Sequence, residues 1–190
     1  MKKLIVVTII VIFAFTTSFA QDISFGINAG VNFSSIAGDE VDDLDGRTSL
    51  NFGGVVNIGI GELFAVQPEI LYSTQGATWE LDGVEATYKL DYINIPIMAD
   101  FTVAEGFSLQ GGPQIGFNIT SEIDTDGETE ELEDVESLDL GVGIGAQYRL
   151  PMGLFFQARY VIGLSDIVAD DEDLKNQNSV LSISAGWFFN

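Results

Sequence analysis

Residues 65–76 read AVQPEILYSTQG, with apolar and polar side chains at alternating positions. Val66 and Ile70 occupy one set of alternate positions, and Gln67 and Glu69 occupy the other. Successive side chains of a β-strand point to opposite faces of the sheet, so a two-residue period indicates a strand. The stretch therefore predicts a strand that turns an apolar face to one environment and a polar face to another.

The same period recurs in eight runs along the chain, each about 11 residues or longer. They span approximately 23–33, 50–60, 63–75, 88–102, 107–121, 138–150, 154–166 and 179–189. A tilted strand crosses a bilayer in roughly 9–11 residues. We find no helical period after residue 20, so every predicted element is a strand.

The connections between the runs alternate in length. Residues 61–62, 103–106 and 151–153 form the short ones, whereas residues 34–49, 76–87, 122–137 and 167–178 form the long ones. Short periplasmic turns and long outer loops are typical of barrels in the outer membrane, and closure leaves no strand edge in lipid. The pattern predicts an all-β fold, an eight-stranded antiparallel up-and-down transmembrane β-barrel with both termini on the periplasmic side.

The two faces of the runs differ in bulk. The apolar face carries large side chains, with its aromatic residues concentrated near both ends of the runs, as expected at two membrane interfaces. The polar face is small and rich in glycine, which fits the narrow interior of an eight-stranded barrel. A soluble periplasmic binder of the lipocalin type would need the reverse arrangement, and it is kept as an alternative.

Charged side chains on the polar face are expected to line the lumen. Because buried charges must be paired to be tolerated, we predict a nearly neutral structural plug rather than a catalytic or conducting path. The residues assigned to this polar network are Glu69, Asp100, Asp139, Arg149 and Arg159.

Two irregularities interrupt the runs. Two apolar residues meet at Tyr92 and Ile93, which we interpret as a β-bulge that would add Lys89 and Asp91 to the lumen. Pro68 and Pro96 lie inside runs, where each removes one donor of the strand ladder. A bulge or a local distortion is expected at each proline.

The first 20 residues differ from the rest. Two lysines are followed by an apolar run of about a dozen residues and by small residues at the positions that a signal peptidase reads. We predict a signal peptide over 1–20 and an outer-membrane β-barrel over 21–190. The chain contains no cysteine, so neither a disulfide nor a lipid-anchored cysteine is expected.

The charge is strongly acidic, with 29 acidic and 7 basic residues and a formal net charge of −22. The four long connections hold 21 of the acids. Such a surface argues against nucleic acid as a partner. The motif DTDGE at 124–128 lacks the spacing of a full calcium loop, so no specific metal site is predicted. Diffuse binding of divalent cations, which would bridge the loops to lipopolysaccharide, is our hypothesis.

The absence of histidine rules out a serine–histidine pair, and no enzyme activity and no cofactor are expected. The composition favours a structural or interaction role in the outer membrane, with outer-membrane lipid as one partner and any protein partner unidentified. A small pore for ions or solutes is the alternative, although eight strands leave an interior just filled by side chains.

Four segments resemble the PorT-like outer-membrane β-barrel family, often called porin family proteins. They are VQPEILYSTQGA at 66–77, LDYINIPIMADF at 90–101, LQGGPQIGFNI at 109–119 and GLFFQARYVIGLSDI at 153–167, and the opening ISFGINAGVNFSSI at 23–36 is similar to the family's first strand. The resemblance implies an eight-stranded barrel in the cell outer membrane of a Gram-negative bacterium. Some members of that family support protein secretion through a dedicated export machine. Asn190 follows Phe189, whereas such barrels commonly end on an aromatic residue.

Overall fold

The computed structural model describes residues 22–38, 44–81, 84–125, 128–132, 135–167 and 176–189. The predicted signal peptide lies outside these ranges. The described residues form nine strands: β1 (Ile23–Gly38), β2 (Leu44–Gly59), β3 (Phe64–Leu81), β4 (Val84–Ala104), β5 (Phe107–Thr125), β6 (Glu128–Glu131), β7 (Leu138–Arg149), β8 (Leu154–Gly163) and β9 (Asn176–Phe189). No helix in this part of the chain is long and apolar enough to span a bilayer.

Eight of the strands close into a ring. Each pairs antiparallel with its neighbours in the order β4-β3-β2-β1-β9-β8-β7-β5, and β4 pairs with β5 to complete the circle. The predicted eight-stranded up-and-down barrel is confirmed. The ninth strand, β6, pairs with the outer end of β5 and was not predicted, because its four residues ETEE carry no apolar alternation.

The three short turns lie together at one end of the ring. Glu105 and Gly106 join β4 to β5, and Gly106 has a φ of 72° that favours glycine. Gly153 has a φ of 93° in the turn before β8. Short turns face the periplasm in outer-membrane barrels, so this end is the periplasmic mouth, and the opposite end carries the long loops.

The burial of apolar and polar side chains is the reverse of that in a soluble protein. Ile144 is 60% exposed and Phe25 is 59% exposed, whereas Gln67 and Asn32 are fully buried. The bulky apolar face therefore points outward to lipid and the polar face points into the lumen. The lipocalin-type alternative is wrong, because its apolar face would have to line the interior.

Aromatic residues of neighbouring strands lie level with each other on the outer surface. Phe107, Tyr148 and Phe156 are aligned on three adjacent strands near the periplasmic mouth. Phe52 and Tyr72 are aligned near the outer end, with ring centroids 5.3 Å apart. This arrangement is that of the aromatic girdles that lie at the two membrane interfaces.

The prolines interrupt the pairing without shifting it. In the β2–β3 ladder, pairing stops after Val55↔Glu69 and resumes at Ile58↔Val66, and Pro68 lies in this gap. The register is the same before and after it. The β3–β4 ladder has a similar gap beside Pro96, again with unchanged register. Local distortion, not a bulge, therefore accommodates each missing donor.

The expected break at Tyr92 and Ile93 does not occur in β4. Leu90, Tyr92 and Asn94 are all buried, so the alternation runs through without a shift. The register changes instead on β5, because Asp91 pairs with Thr120 and Tyr92 pairs with Asn118. Lys89 and Asp91 consequently face outward rather than into the lumen, which corrects the expectation from sequence.

The strands extend beyond the predicted runs into the loop segments. β3, β4 and β5 have 18, 21 and 19 residues, whereas β7 and β8 have 12 and 10. Parts of the predicted long loops are thus paired strand. The wall made by β3, β4 and β5 continues past the outer aromatic girdle.

Candidate functional site

The middle of the lumen contains a buried ion pair between β3 and β8. Arg159 donates from Nη2 to Glu69 Oε1 over 2.5 Å and from Nη1 to Glu69 Oε2 over 3.1 Å. The two side chains are 3% and 0% exposed. The pair is bidentate, the strongest geometry for a guanidinium and a carboxylate.

A layer of four glutamines lies on the periplasmic side of this pair. Each comes from a different strand, and their side-chain amides bond to one another. Gln67 donates to Gln147 over 3.2 Å, and Gln157 donates to Gln110 over 3.0 Å. Gln67 also donates to Glu69 over 2.9 Å, which links the layer to the ion pair. We call Gln67, Gln110, Gln147 and Gln157 the glutamine layer.

Amide and hydroxyl groups fill the lumen on the outer side of the ion pair. Asn51 donates to Asn32 over 2.6 Å, Asn32 donates to Ser73 over 2.9 Å, and Ser182 donates to Asn32 over 2.8 Å. A cavity of about 20 Å³ lies between these groups and Arg159. Its size and polar lining suit one ordered water.

Apolar side chains pack inside the barrel near both mouths, which the sequence reasoning missed. Phe155 and Phe188 lie near the periplasmic mouth with ring centroids 4.6 Å apart. Leu90, Tyr92 and Ile167 form a second cluster near the outer mouth. The doublets FF at 155–156 and at 188–189 were the available signal, because adjacent residues of a strand must point to opposite faces.

The five predicted lumen residues point inward, and Gln110 joins three of them, because it donates to Asp100 over 2.7 Å and accepts from Arg159 over 3.3 Å. Asp139 and Arg149 lie outside that network. Glu69 and Arg159 meet in the middle. Asp139 lies toward the outer mouth, where it accepts hydrogen bonds from Ser165 over 3.0 Å and from Asn178 over 3.1 Å. Asp100 and Arg149 lie at the periplasmic mouth and form no ion pair with each other among the described residues.

A larger cavity opens at the periplasmic mouth, and we call it the periplasmic vestibule. Its volume is about 210 Å³. Asp100 accepts hydrogen bonds there from Ser108 over 3.0 Å and from Gln110 over 2.7 Å. Arg149 donates to Ser24 over 3.2 Å, and its Cζ lies 4.4 Å from the centre of the Phe188 ring. Gln147 contributes to the vestibule wall, so the glutamine layer separates this cavity from the ion pair.

Charged groups also occupy the outer wall beyond the girdle. Lys89 forms an ion pair with Asp124 over 2.5 Å, with both side chains about one-third exposed. The Tyr72 hydroxyl donates to Asp91 over 2.5 Å. Within the described ranges, no group of three or more acidic residues is arranged to hold a metal ion.

Comparisons with known proteins agree with this architecture. The Yersinia pestis attachment invasion locus protein Ail is 18% identical with a TM-score of 0.57, covering 87% of this chain and 98% of that one. Neisserial surface protein A is 14% identical with a TM-score of 0.63, covering 87% and 97%. These likenesses show the fold alone. A search of curated protein sequences finds no match.

A sequence profile for the outer membrane protein beta-barrel domain matches residues 19–169, which is most of the chain. The closed ring of strands, the outward apolar face and the polar lumen are what that domain requires in lipid. The protein is therefore located in the cell outer membrane, and the chain belongs to the outer membrane β-barrel domain family.

Proposed function

We propose that this protein is a non-conducting outer-membrane barrel with a structural or interaction role, and that its surfaces carry out this role. The observation that carries the proposal is the bonded cluster in the middle of the lumen. The buried Glu69–Arg159 pair and the glutamine layer lie across its path, and the cavity beside them is only about 20 Å³. An ion would have to displace these bonded groups to pass, at a desolvation cost of several kcal/mol.

Conductance of the purified barrel in a planar lipid bilayer tests this proposal. We expect no steady current from the native protein. A variant with alanine at Gln67 and Gln147 removes half of the glutamine layer and should raise the frequency of brief openings. Replacement of Asn178 by alanine, outside the glutamine layer, is the matched control. Steady conductance of the native protein would instead establish the small pore.

The acidic outer loops are the surface that we propose for interaction. The four long segments carry 21 acids and two basic residues, Arg47 and Lys175. Divalent cations take oxygen ligands, so Ca²⁺ or Mg²⁺ is proposed to link these loops to the phosphates of lipopolysaccharide. Ail is known in complex with the heparin analogue sucrose octasulfate. We do not extend that polyanion to this chain, because its own loops would repel it.

Binding to lipopolysaccharide vesicles with and without chelator tests the cation bridge. We expect the folded barrel in micelles to bind in millimolar Ca²⁺ and to be released by EDTA. Neutral phosphatidylcholine vesicles are the control surface. Binding that is unchanged by EDTA would contradict the bridge and leave the proposal of a non-conducting barrel standing.

Membership of the PorT-like branch is also a proposal, supported by the segments at 66–77 and 90–101. A role in protein secretion depends on that branch alone, and a deletion strain that secretes normally would exclude it.

The absence of catalytic activity is proposed from the lack of histidine. Mass spectrometry of the membrane protein tests the signal peptide, with Gln21 as the expected first residue.

A further inference from the structure

We propose that the periplasmic vestibule is a binding site for a small zwitterion, a molecule with one ammonium and one carboxylate group, such as a free amino acid or a short peptide. The site lies at the opposite end from the acidic loops and does not depend on their function. Its volume of about 210 Å³ is tenfold that of the cavity beside Arg159. It is smaller than the roughly 300–1,000 Å³ of drug-sized sites, which favours a ligand of amino-acid size.

Arg149 supplies the group for the carboxylate. Its guanidinium forms no salt bridge in the described part of the chain, and its hydrogen bond goes to the neutral hydroxyl of Ser24. Asp22 and Glu62 also line the vestibule, but both are exposed to solvent at its rim. The Phe188 ring, 4.4 Å from Cζ, supports one face of the guanidinium plane. The remaining N–H groups form the planar fork that binds a carboxylate through two parallel hydrogen bonds.

Asp100 supplies the group for the ammonium. It is 5% exposed, and both of its hydrogen bonds, from Ser108 and Gln110, arrive at Oδ2. Neither of these two hydrogen bonds reaches Oδ1. A carboxylate at this depth is normally paired with a cation, and no described cation pairs with Asp100. A ligand ammonium would provide that charge.

The two groups belong to one cavity. Asp100 on β4 and Arg149 on β7 both line the vestibule, and they form no salt bridge with each other. A ligand with a single charge satisfies only one of them. A zwitterion satisfies both, and Ser24, Asn57 and Gln147 offer neutral polar groups around it.

The entrance faces the periplasm and the far side is closed. Gln147 belongs both to the vestibule wall and to the glutamine layer. A bound molecule would therefore remain at the mouth and could not pass into the lumen. The site is a receptor pocket rather than the start of a transport path.

Calorimetric titration of the full-length barrel in detergent micelles tests the site with glycine, glycylglycine and triglycine. N-acetylglycine carries the carboxylate alone, and glycinamide carries the ammonium alone. We expect the best zwitterion to bind at least about tenfold more tightly than either analogue, which corresponds to 1.4 kcal/mol. Equal affinities for all five probes, or no binding at tens of millimolar, would overturn the proposal.

Two variants test which charged side chain binds which charged group of the ligand. Arg149→Gln should abolish the advantage of the zwitterion over glycinamide, and Asp100→Asn should abolish its advantage over N-acetylglycine. Lys89→Gln and Asp91→Asn make the same changes of charge beyond the outer girdle and should leave all affinities unchanged. The heat-dependent gel shift verifies that each variant is folded. If Asp100→Asn does not fold, Arg149→Gln decides alone, and an unchanged preference in that variant rejects the site.

Discussion

Replacement of Arg159 by methionine removes one partner of the buried ion pair and leaves the other. Glu69 then keeps Gln67 as a donor at 2.9 Å and Gln157 at 3.5 Å, the limit of a hydrogen bond. Breaking a buried pair by removing one partner costs about 3–5 kcal/mol, because a charge is left uncompensated. We expect the Arg159→Met barrel to lose that much free energy of unfolding.

The reciprocal change should cost less. Glu69→Gln keeps the shape of the side chain, and Arg159 retains Gln110 Oε1 at 3.3 Å and the polar cavity beside it. A water in that cavity can bind the guanidinium. We therefore expect a loss of about 1.5–3 kcal/mol, the usual value of a hydrogen bond to a charged group. The double variant Glu69→Leu with Arg159→Met leaves no charge and should recover at least half of the loss.

Urea unfolding in lipid vesicles, followed by tryptophan fluorescence, measures these changes. With a slope of about 1–3 kcal/mol per molar urea, a loss of 3 kcal/mol lowers the midpoint by at least about 1 M. Two results would refute the reasoning. One is a loss below 1 kcal/mol in Arg159→Met, and the other is a double variant whose loss equals the sum of the single losses.

Three further predictions concern the barrel wall. Gly186→Ala should lower the folded yield, because its Cβ would lie 2.3 Å from the Phe155 ring, whereas Gly54→Ala, with 3.8 Å to its nearest neighbour, should not. Ile144→Arg on the lipid face should cost about 2–4 kcal/mol in the urea assay, and Met152→Arg, 64% exposed in a periplasmic turn, should cost less than about 1 kcal/mol. Amides in the unpaired stretch beside Pro96 should exchange with deuterium faster than those of Ile144 and Val142 in the uninterrupted β7–β8 ladder, and equal rates would show that the ladder is not weakened there.

The sequence predicted the barrel well wherever the two faces of a strand meet different surroundings. Between the girdles one face meets lipid and the other meets the lumen, so apolar and polar residues alternate and reveal the strand. Past the outer girdle both faces are outside the bilayer, and pairing continues without alternation. This is why the outer ends of β3, β4 and β5, and the whole of β6, were taken for loops.

The lumen was predicted less completely. Whether a residue occupies an odd or an even position in its strand determines which face of the barrel wall its side chain is on. All five assigned residues are on the inner face. This alternation does not give the height of a residue in the barrel, because height depends on how the strands are staggered. Glu69 and Arg159 are 90 residues apart in sequence, and only the register of the four strand pairs between β3 and β8 brings them level.

Whether each of the five lumen charges has a counterion depends on how well water can reach it. In the middle of the lumen, where both side chains are buried, the structure places one acid against one base with bidentate geometry. At the periplasmic mouth, where the vestibule is open, Asp100 and Arg149 are held by neutral groups and stay separate. A charge without a counterion is tolerated only where water or a ligand can solvate it. Asp139, the fifth charge, lies toward the outer mouth and is likewise held by neutral groups, Ser165 and Asn178. The charges without a salt bridge therefore lie toward the two mouths of the barrel, and the ion pair lies between them.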